Sequence, residues 1–341
     1  MDHFFTYTKD IRETLKTFLE AQKELHKDFV WGEDAFTKLI SFCQSGKAVR
    51  GNSILLIASE DPSFNPANIL PIAAAMELFH ASLLIQDDVT DQDMLRRGKP
   101  SMQAQFMTQT PNPHTAESMA FYVADIGIFL SYRLVSEANV SDTIKQKVIS
   151  LFSQELANVA LGQMQDVYVP GGKPTKETVL QTYRTKTARY TFSLPFMIGA
   201  LCAQLPDQIQ NQLAAFGEHL GTIFQLQDDT IGLFGNEEEI GKPVGSDIRE
   251  GKYTFHVLSL LEKISPEEKN MFDTVFANEG ATREQLDALM QLFQRYDIQE
   301  QILKQMKDEA MHAEEIQKNL TLLTHANILE ELLAYNLKRT Y

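Results

Sequence analysis

Cysteine is nearly absent: the 341 residues hold two, Cys43 and Cys202, neither spaced with a second Cys or a His as metal ligands are. That excludes a disulfide framework and a cysteine-rich zinc module, and a reduced, cytoplasmic chain follows as the expectation. Positive charge is also scarce. With 31 Lys and Arg against 46 Asp and Glu the formal charge is -15, so most of the surface repels a phosphate backbone and no nucleic-acid partner is expected. The most apolar stretch, Tyr190 to Leu205, is interrupted by Pro195 and is shorter than the ~20 residues a membrane span requires. It reads as a buried core helix, and no transmembrane segment is expected. The first residues lack the basic and apolar regions of a signal peptide. At 43% hydrophobic, with 17 Gly and 12 Pro, the composition is that of an ordinary globular chain rather than a disordered or collagenous one.

Alternating strand-type runs are few. Apolar residues instead recur at helical spacing, as in Ile11, Leu15, Phe18 and Leu19, or Ile302, Met306, Ala310 and Ala313. Breakers fall between long periodic stretches, at Asp61-Pro62-Ser63, Pro111-Asn112-Pro113, Pro170-Gly171-Gly172 and from Gly235 to Gly251. The pattern predicts an all-α protein of roughly ten or more helices. No linker-like segment divides it, so a single large helical domain over 1–341 is expected. The segment from His80 to Asp91 is echoed by the one from Gly221 to Gly232: each is an apolar helical stretch running into Gln-Asp-Asp. The echo suggests two helices that present carboxylates to a shared space.

Asp87, Asp88 and Asp91 form Asp-Asp-x-x-Asp. On a helix Asp87 and Asp91 stack one turn apart, a repulsive pair unless cations join it, while Asp88 points about 100° away. Hard oxygen ligands of this kind suit Mg²⁺ shared with substrate phosphates. Arg96-Arg97-Gly98-Lys99-Pro100 follows within a few residues, and guanidinium groups bind phosphate oxygens in bidentate fashion. The second pair, Asp228 and Asp229, precedes glycine-flanked Lys242 and Lys252. Gly46-Lys47-Ala48-Val49-Arg50 and Lys186-Thr187-Ala188, the latter inside a helix, complete the set of basic motifs. Salt bridges to neighbouring aspartates and plain solvated lysines are the structural alternatives.

In this order and spacing the motifs resemble the trans-isoprenyl diphosphate synthases, or polyprenyl synthetases. Gly46-Lys47-x-x-Arg50, Asp87-Asp88-x-x-Asp91 with Arg96-Arg97-Gly98, Gly162-Gln163-x-x-Asp166, Lys186-Thr187-Ala188, Phe224-Gln225-x-x-Asp228-Asp229 and Gly241-Lys242-Pro243 to Asp247 and Lys252 carry the resemblance. It implies helices around a deep central cavity, a homodimer, and Mg²⁺-dependent head-to-tail condensation of isopentenyl diphosphate with an allylic diphosphate (dimethylallyl, geranyl or farnesyl). By motif position, Asp87, Asp91 and Asp228 match metal ligands, with Asp88 and Asp229 in support. Lys47, Arg50, His80 and Arg97 match the isopentenyl diphosphate site; Arg96, Lys186, Thr187, Gln225, Lys242 and Lys252 match the allylic site. Gly232 stands where many members have a third aspartate, and Gln86 where many bacterial members have His.

Product length is expected to be read by the helix before Asp87. The resemblance places the first barrier at Leu83 and Ser82. Small Ser82 should let the tail pass, and Phe79 and Met76, deeper by about one turn each, should stop it. A C20 product is expected, with C15 or a longer chain as neighbouring alternatives. A class I terpene cyclase and a non-catalytic partner subunit are the remaining readings; Lys47, Arg50 and Arg97 disfavour the first, and the intact acidic and basic motifs disfavour the second.

Overall fold

The structure is a computed structural model that describes residues 3–169, 172–235, 244–278 and 280–339. Helices make up nearly all of its regular structure. Among the described residues the only strands are Leu95–Arg96 and Lys99–Pro100, which pair as a minimal antiparallel hairpin. The chain is therefore all-α, as the periodicity predicts. It divides into two compact units, Met1–Ser153 with Pro195–Gln210, and Gln154–Leu194 with Asn211–Tyr341.

The first unit contains α1 (Thr8–Leu25), α2 (Gly32–Cys43), α3 (Val49–Ala58), α4 (Pro66–Thr90), α5 (Met102–Met107), α6 (Pro113–Ser136) and the opening of α7 (Asp142–Val167). Its centre is α4, which packs against α1, α3 and α6. Asn65 starts α4 by accepting the Ala67 N–H at 3.1 Å, and Pro66 occupies a first-turn position whose N–H would have no helical partner. Ile69, Ile72, Ala73 to Met76, Leu78, Phe79 and Ile85 are all buried, because α4 has neighbours on several sides. Each large apolar side chain so buried contributes about 1.5–3 kcal/mol. Both α4 and α6 are long and apolar enough to cross a bilayer by length and composition, a property that the reading centred on Tyr190 to Leu205 passes over. Their most apolar windows are 61% and 44% buried within the protein.

The second unit is organised around α10 (Asp207–Phe234) and the π-helical segment Tyr183–Ser193. Lys186-Thr187-Ala188 thus lies in a π-helix rather than in the ordinary helix expected. The physical reason is close approach: a Cβ at Gly217 would overlap the Phe192–Ser193 backbone, and one at Gly221 would overlap Ala188. On the other side Gly162 of α7 meets Thr185 and Lys186. The widened turn seats the segment between two glycine-bearing helices, and such bulges commonly mark functional sites. Pro195, which has no N–H, stands where the π-helix gives way to α9 (Leu194–Cys202). Later helices are Phe255–Leu261, Pro266–Val275, Arg283–Arg295, Ile298–Gln317 and Ala326–Lys338. Two of them open with complete capping boxes, Ser265 with Glu268 and Thr282 with Gln285. Ile302, Met306, Ala310 and Ala313 are buried, as their spacing predicts.

Gly221 sets the sign of one prediction. On an open helix face Gly→Ala gains about 1 kcal/mol. Here the added methyl overlaps the Ala188 backbone, so Gly221→Ala should instead lower stability by roughly 1–3 kcal/mol. Urea-unfolding midpoints of the two proteins check it.

Candidate active site

The end of α4 arranges the first aspartates by helical geometry alone. The Asp91 N–H donates to the Asp87 carbonyl at 2.8 Å, so the one-turn stack of Asp87 and Asp91 is retained, and both residues are half-exposed. Asp88 turns inward and is completely buried. Arg96 reaches it from the hairpin, donating Nε–H to Oδ1 at 2.6 Å while Nη2 contacts Asp93 at 3.2 Å. The Gln103 amide staples the turn by donating to the carbonyls of Asp88 and Asp93, both at 2.9 Å. Burial pushes the Asp88 carboxyl up to about 6, against the opposing pull of Arg96. Arg96 is therefore held by Asp88 and Asp93, the salt-bridge alternative to the diphosphate contact the motif implies.

The hairpin also aims Arg97. Arg97 and Gly98 both have positive φ, 54° and 72°, as a two-residue turn between antiparallel strands requires. Arg97 Nη1 donates to Ser45 Oγ at 3.0 Å, and a Cβ at Gly46 (φ 98°) would overlap the guanidinium, so only glycine permits this approach. In the same unit Arg50 is buried, and Glu77 accepts the Gly51 N–H at 2.8 Å. Burial raises the Glu77 carboxyl and the Arg50 charge counters it. His80 is held well below the usual imidazole range, by burial first and then by Arg50, Arg97 and Arg96. Lys47, three residues before Arg50, is exposed. Residues from three separate stretches thus gather into one cationic cluster around a neutral imidazole.

In the second unit Asp229 is buried and clamped. The Tyr183 hydroxyl donates to Oδ2 and the Gln225 amide to Oδ1 at 2.8 Å, while Tyr183 Oη accepts the Phe255 N–H at 3.0 Å. Burial pushes the Asp229 carboxyl up to about 8, and the Asp247 charge adds to it. Asp228 faces outward with 55% of its side chain exposed, ion-paired to Arg339 at 2.7 Å. Lys186 pairs with Asp166 at 2.5 Å, Lys252 with Glu250 at 2.9 Å, and Thr187 is half-exposed. Lys242 lies outside the described residues. At Gly232, where the third aspartate is missing, a Cβ would stand 3.5 Å from Asp247 Oδ2, so a carboxylate from the short helix Ser246–Arg249 occupies that neighbourhood.

The length-reading residues are split. Leu83 is half-exposed, like Asp87 one turn on, whereas Ser82, Phe79 and Met76 are completely buried. Ser82 bonds its own Leu78 carbonyl at 2.9 Å and abuts Gly127 of α6, where a Cβ would overlap its hydroxyl. The Phe79 ring packs on Phe152 at 5.5 Å, and Phe152 meets Tyr132 at 6.2 Å, so Phe79 makes a packing contact between helices. Sequence reasoning missed Glu77, Gln103, Tyr183 and Arg339, none of which stands in a motif.

No three His, Cys, Asp or Glu side chains converge into a closed metal cage among the described residues. Asp87 and Asp91, half-buried, and Asp228, exposed, are acceptor-only carboxylates that fit a cation that keeps several waters and borrows phosphate oxygens. The Asp88–Arg96 pair yields a prediction. Arg96→Ala leaves a buried carboxylate without its cation and should cost about 3–5 kcal/mol. Adding Asp88→Asn should restore much of the loss, read in thermal and denaturant unfolding of the single and double variants.

The sequence profile of the polyprenyl synthetase family matches residues 33–293. A short chain isoprenyl diphosphate synthase of Methanocaldococcus jannaschii is 32% identical over 225 residues, 66% of this chain and 65% of that relative. The matched segment thus spans just under two thirds of that relative's length. The geranylgeranyl diphosphate synthase of Sulfolobus acidocaldarius is 31% identical over 263 residues, 75% of this chain and 76% of the relative. A crystal structure of a geranylgeranyl pyrophosphate synthase from Corynebacterium glutamicum, complexed with isoprenyl diphosphate and magnesium, is similar with a TM-score of 0.90 at 25% identity over 99% of both chains.

Proposed function

For a chain that belongs to the polyprenyl synthetase family of prenyltransferases, we propose Mg²⁺-dependent condensation of isopentenyl diphosphate with an allylic diphosphate to give C20 geranylgeranyl diphosphate. The observation that carries this reading is that each unit bears its own set of cations. Arg50 and Arg97 gather around His80 in the first, which also carries the exposed Lys47, and Lys186 and Lys252 belong to the second. Two sets suit a reaction with two diphosphates, whereas a terpene cyclase ionises only one.

Asp87, Asp91 and Asp228 are the proposed ligands of Mg²⁺, which when bound supplies positive charge to a departing diphosphate. Lys186 and Lys252 add fixed charge for the leaving group, and Lys47, Arg50 and Arg97 hold the second substrate by its diphosphate. His80 stays a neutral hydrogen-bonding group rather than an acid, since its surroundings disfavour the imidazolium. Asp88 and Asp229 anchor the helix turns that carry Asp87 and Asp228. The base that takes the final proton is proposed to be the departing diphosphate, His80 and His256 both being poorly placed: burial holds His256 down to about 3.

The two units are proposed to act as one catalytic domain over 1–341, a reading supported by a family match that runs through both. A homodimer is supported by α6, whose apolar side leaves Tyr122 and Phe129, seven residues apart, 65% and 71% exposed. A cytoplasmic, non-spanning protein is supported by two buried thiols, each pushed up to about 12 by burial, and by the protein packing around α4.

Asp87→Ala or Asp228→Ala should lower turnover by orders of magnitude with helicity unchanged, measured as product formed with Mg²⁺ and both substrates. Lys47→Ala should raise KM chiefly for isopentenyl diphosphate and Lys186→Ala chiefly for the allylic partner. Normal turnover in either aspartate variant contradicts the metal assignment, and a reversed KM pattern means the two sites are exchanged.

The C20 reading draws on buried Phe79 and Phe152 and half-buried Tyr132 beneath small Ser82. Phe79→Ala should lengthen the product beyond C20 at a stability cost of about 3–5 kcal/mol. Chromatography of the dephosphorylated products reads the length; an unchanged C20 distribution removes Phe79 as the floor.

A further inference from the structure

The outward-facing carboxylate of the second motif already holds a cation. Arg339, which follows the Ala326–Lys338 helix, donates from Nη2 to Asp228 Oδ1 at 2.7 Å. The same nitrogen donates to the Phe224 carbonyl at 3.0 Å, one turn earlier on α10. The guanidinium lies 3.8 Å from the centroid of the Phe224 ring, and Gln227 Nε2 anchors the Arg339 carbonyl at 2.6 Å. Four contacts therefore fasten this residue to a single turn of α10. Its side chain is only 10% exposed although its carboxylate partner is 55% exposed.

Exposed ion pairs between flexible side chains contribute little, because the chains must be ordered and water screens them. This pair differs on both counts. Stacking on Phe224 and the bond to its carbonyl order the guanidinium independently of Asp228, and the ring shields one of its faces from water. A planar guanidinium can make these contacts together; an ammonium can make only part of them. Arg339 and a metal ion would compete for the negative charge of the same carboxylate.

We propose that Arg339 is an internal counter-cation for Asp228, a positioning residue that occupies the carboxylate until metal displaces it and so sets the metal affinity of the second motif. The inference rests on the reading of Asp228 as a metal ligand. Displacement exchanges one electrostatic contact and forms no covalent bond. Phe224 retains the guanidinium one turn away, so it returns when the metal leaves.

The test uses the full chain and Mn²⁺ alone, with bound metal counted from the loss of the free-ion paramagnetic resonance signal. Asp228→Ala should abolish one class of bound Mn²⁺. Arg339→Ala should tighten that class roughly fivefold, the scale of one partly exposed charge pair. Arg339→Lys should fall between, since it keeps the charge and loses the stacked fork. Without metal Arg339→Ala should melt lower than the parent, and saturating Mn²⁺ should narrow the gap. A purely structural Arg339 would lower the melting temperature equally with and without metal and leave affinity unchanged, which overturns the proposal. Should Arg339→Ala fail to fold, Arg339→Lys decides alone: an Mn²⁺ affinity equal to the parent's is the overturning result. If Asp228→Ala retains every bound Mn²⁺, the metal reading of Asp228 falls and this inference with it; loss in that variant with unchanged affinity in both Arg339 variants sinks the inference only.

Discussion

Two aspartates, Asp88 and Asp229, are held where water does not reach, and much of the surrounding architecture offsets the cost of keeping them there. Each adjoins a more exposed carboxylate, Asp87 and Asp228 respectively. Anchoring the inner member fixes the rotation of the helix and hence the direction of the outer one. The two units solve the problem differently. The first brings a full cation, Arg96, on a hairpin built for the purpose. The second supplies neutral donors, Tyr183 and Gln225, and leaves the carboxyl strongly inclined to keep its proton.

Electrostatics of the whole molecule and of the site run in opposite directions. A chain of formal charge -15 discourages polyanions in general, yet Arg50, Arg97 and Arg96 lie close enough to His80 to disfavour its protonation. Concentrating cations in this way, while acidic residues dominate the chain as a whole, limits which anions are accepted and where. Glycine makes the crowding feasible: Gly46 leaves room for Arg97, just as Gly217 and Gly221 leave room for the π-helical segment that carries Lys186.

What could be read from the chain beforehand was whatever depends on near neighbours in sequence. Ile302, Met306, Ala310 and Ala313 are buried because four-residue spacing is a local property, and the Asp87–Asp91 stack follows from helix geometry alone. Contacts made across the fold were invisible. Tyr183 meets Asp229 across 46 positions and Arg339 meets Asp228 across 111, and no periodicity announces either. The π-helix at Lys186 was missed because its cause lies in glycines some thirty residues away on another helix. Arg96 and Gln225, which the motifs assign to the allylic diphosphate, hold aspartates of the protein itself here. Ser82, assigned to a passage for the growing tail, abuts Gly127, a neighbour that helical spacing could not reveal.

The dependence of Asp88 on Arg96 also bears on how this chain can change over evolutionary time. Arg96 is not dispensable while Asp88 remains charged, because a lone buried carboxylate is penalised, whereas Arg96 keeps Asp93 as a partner when Asp88 is neutralised. The aspartate helix and the hairpin beyond it therefore form one heritable unit. Descendant sequences that replace Arg96 should be those that have first, or simultaneously, given up the charge at position 88, so that drift at these two positions is ordered in time rather than independent.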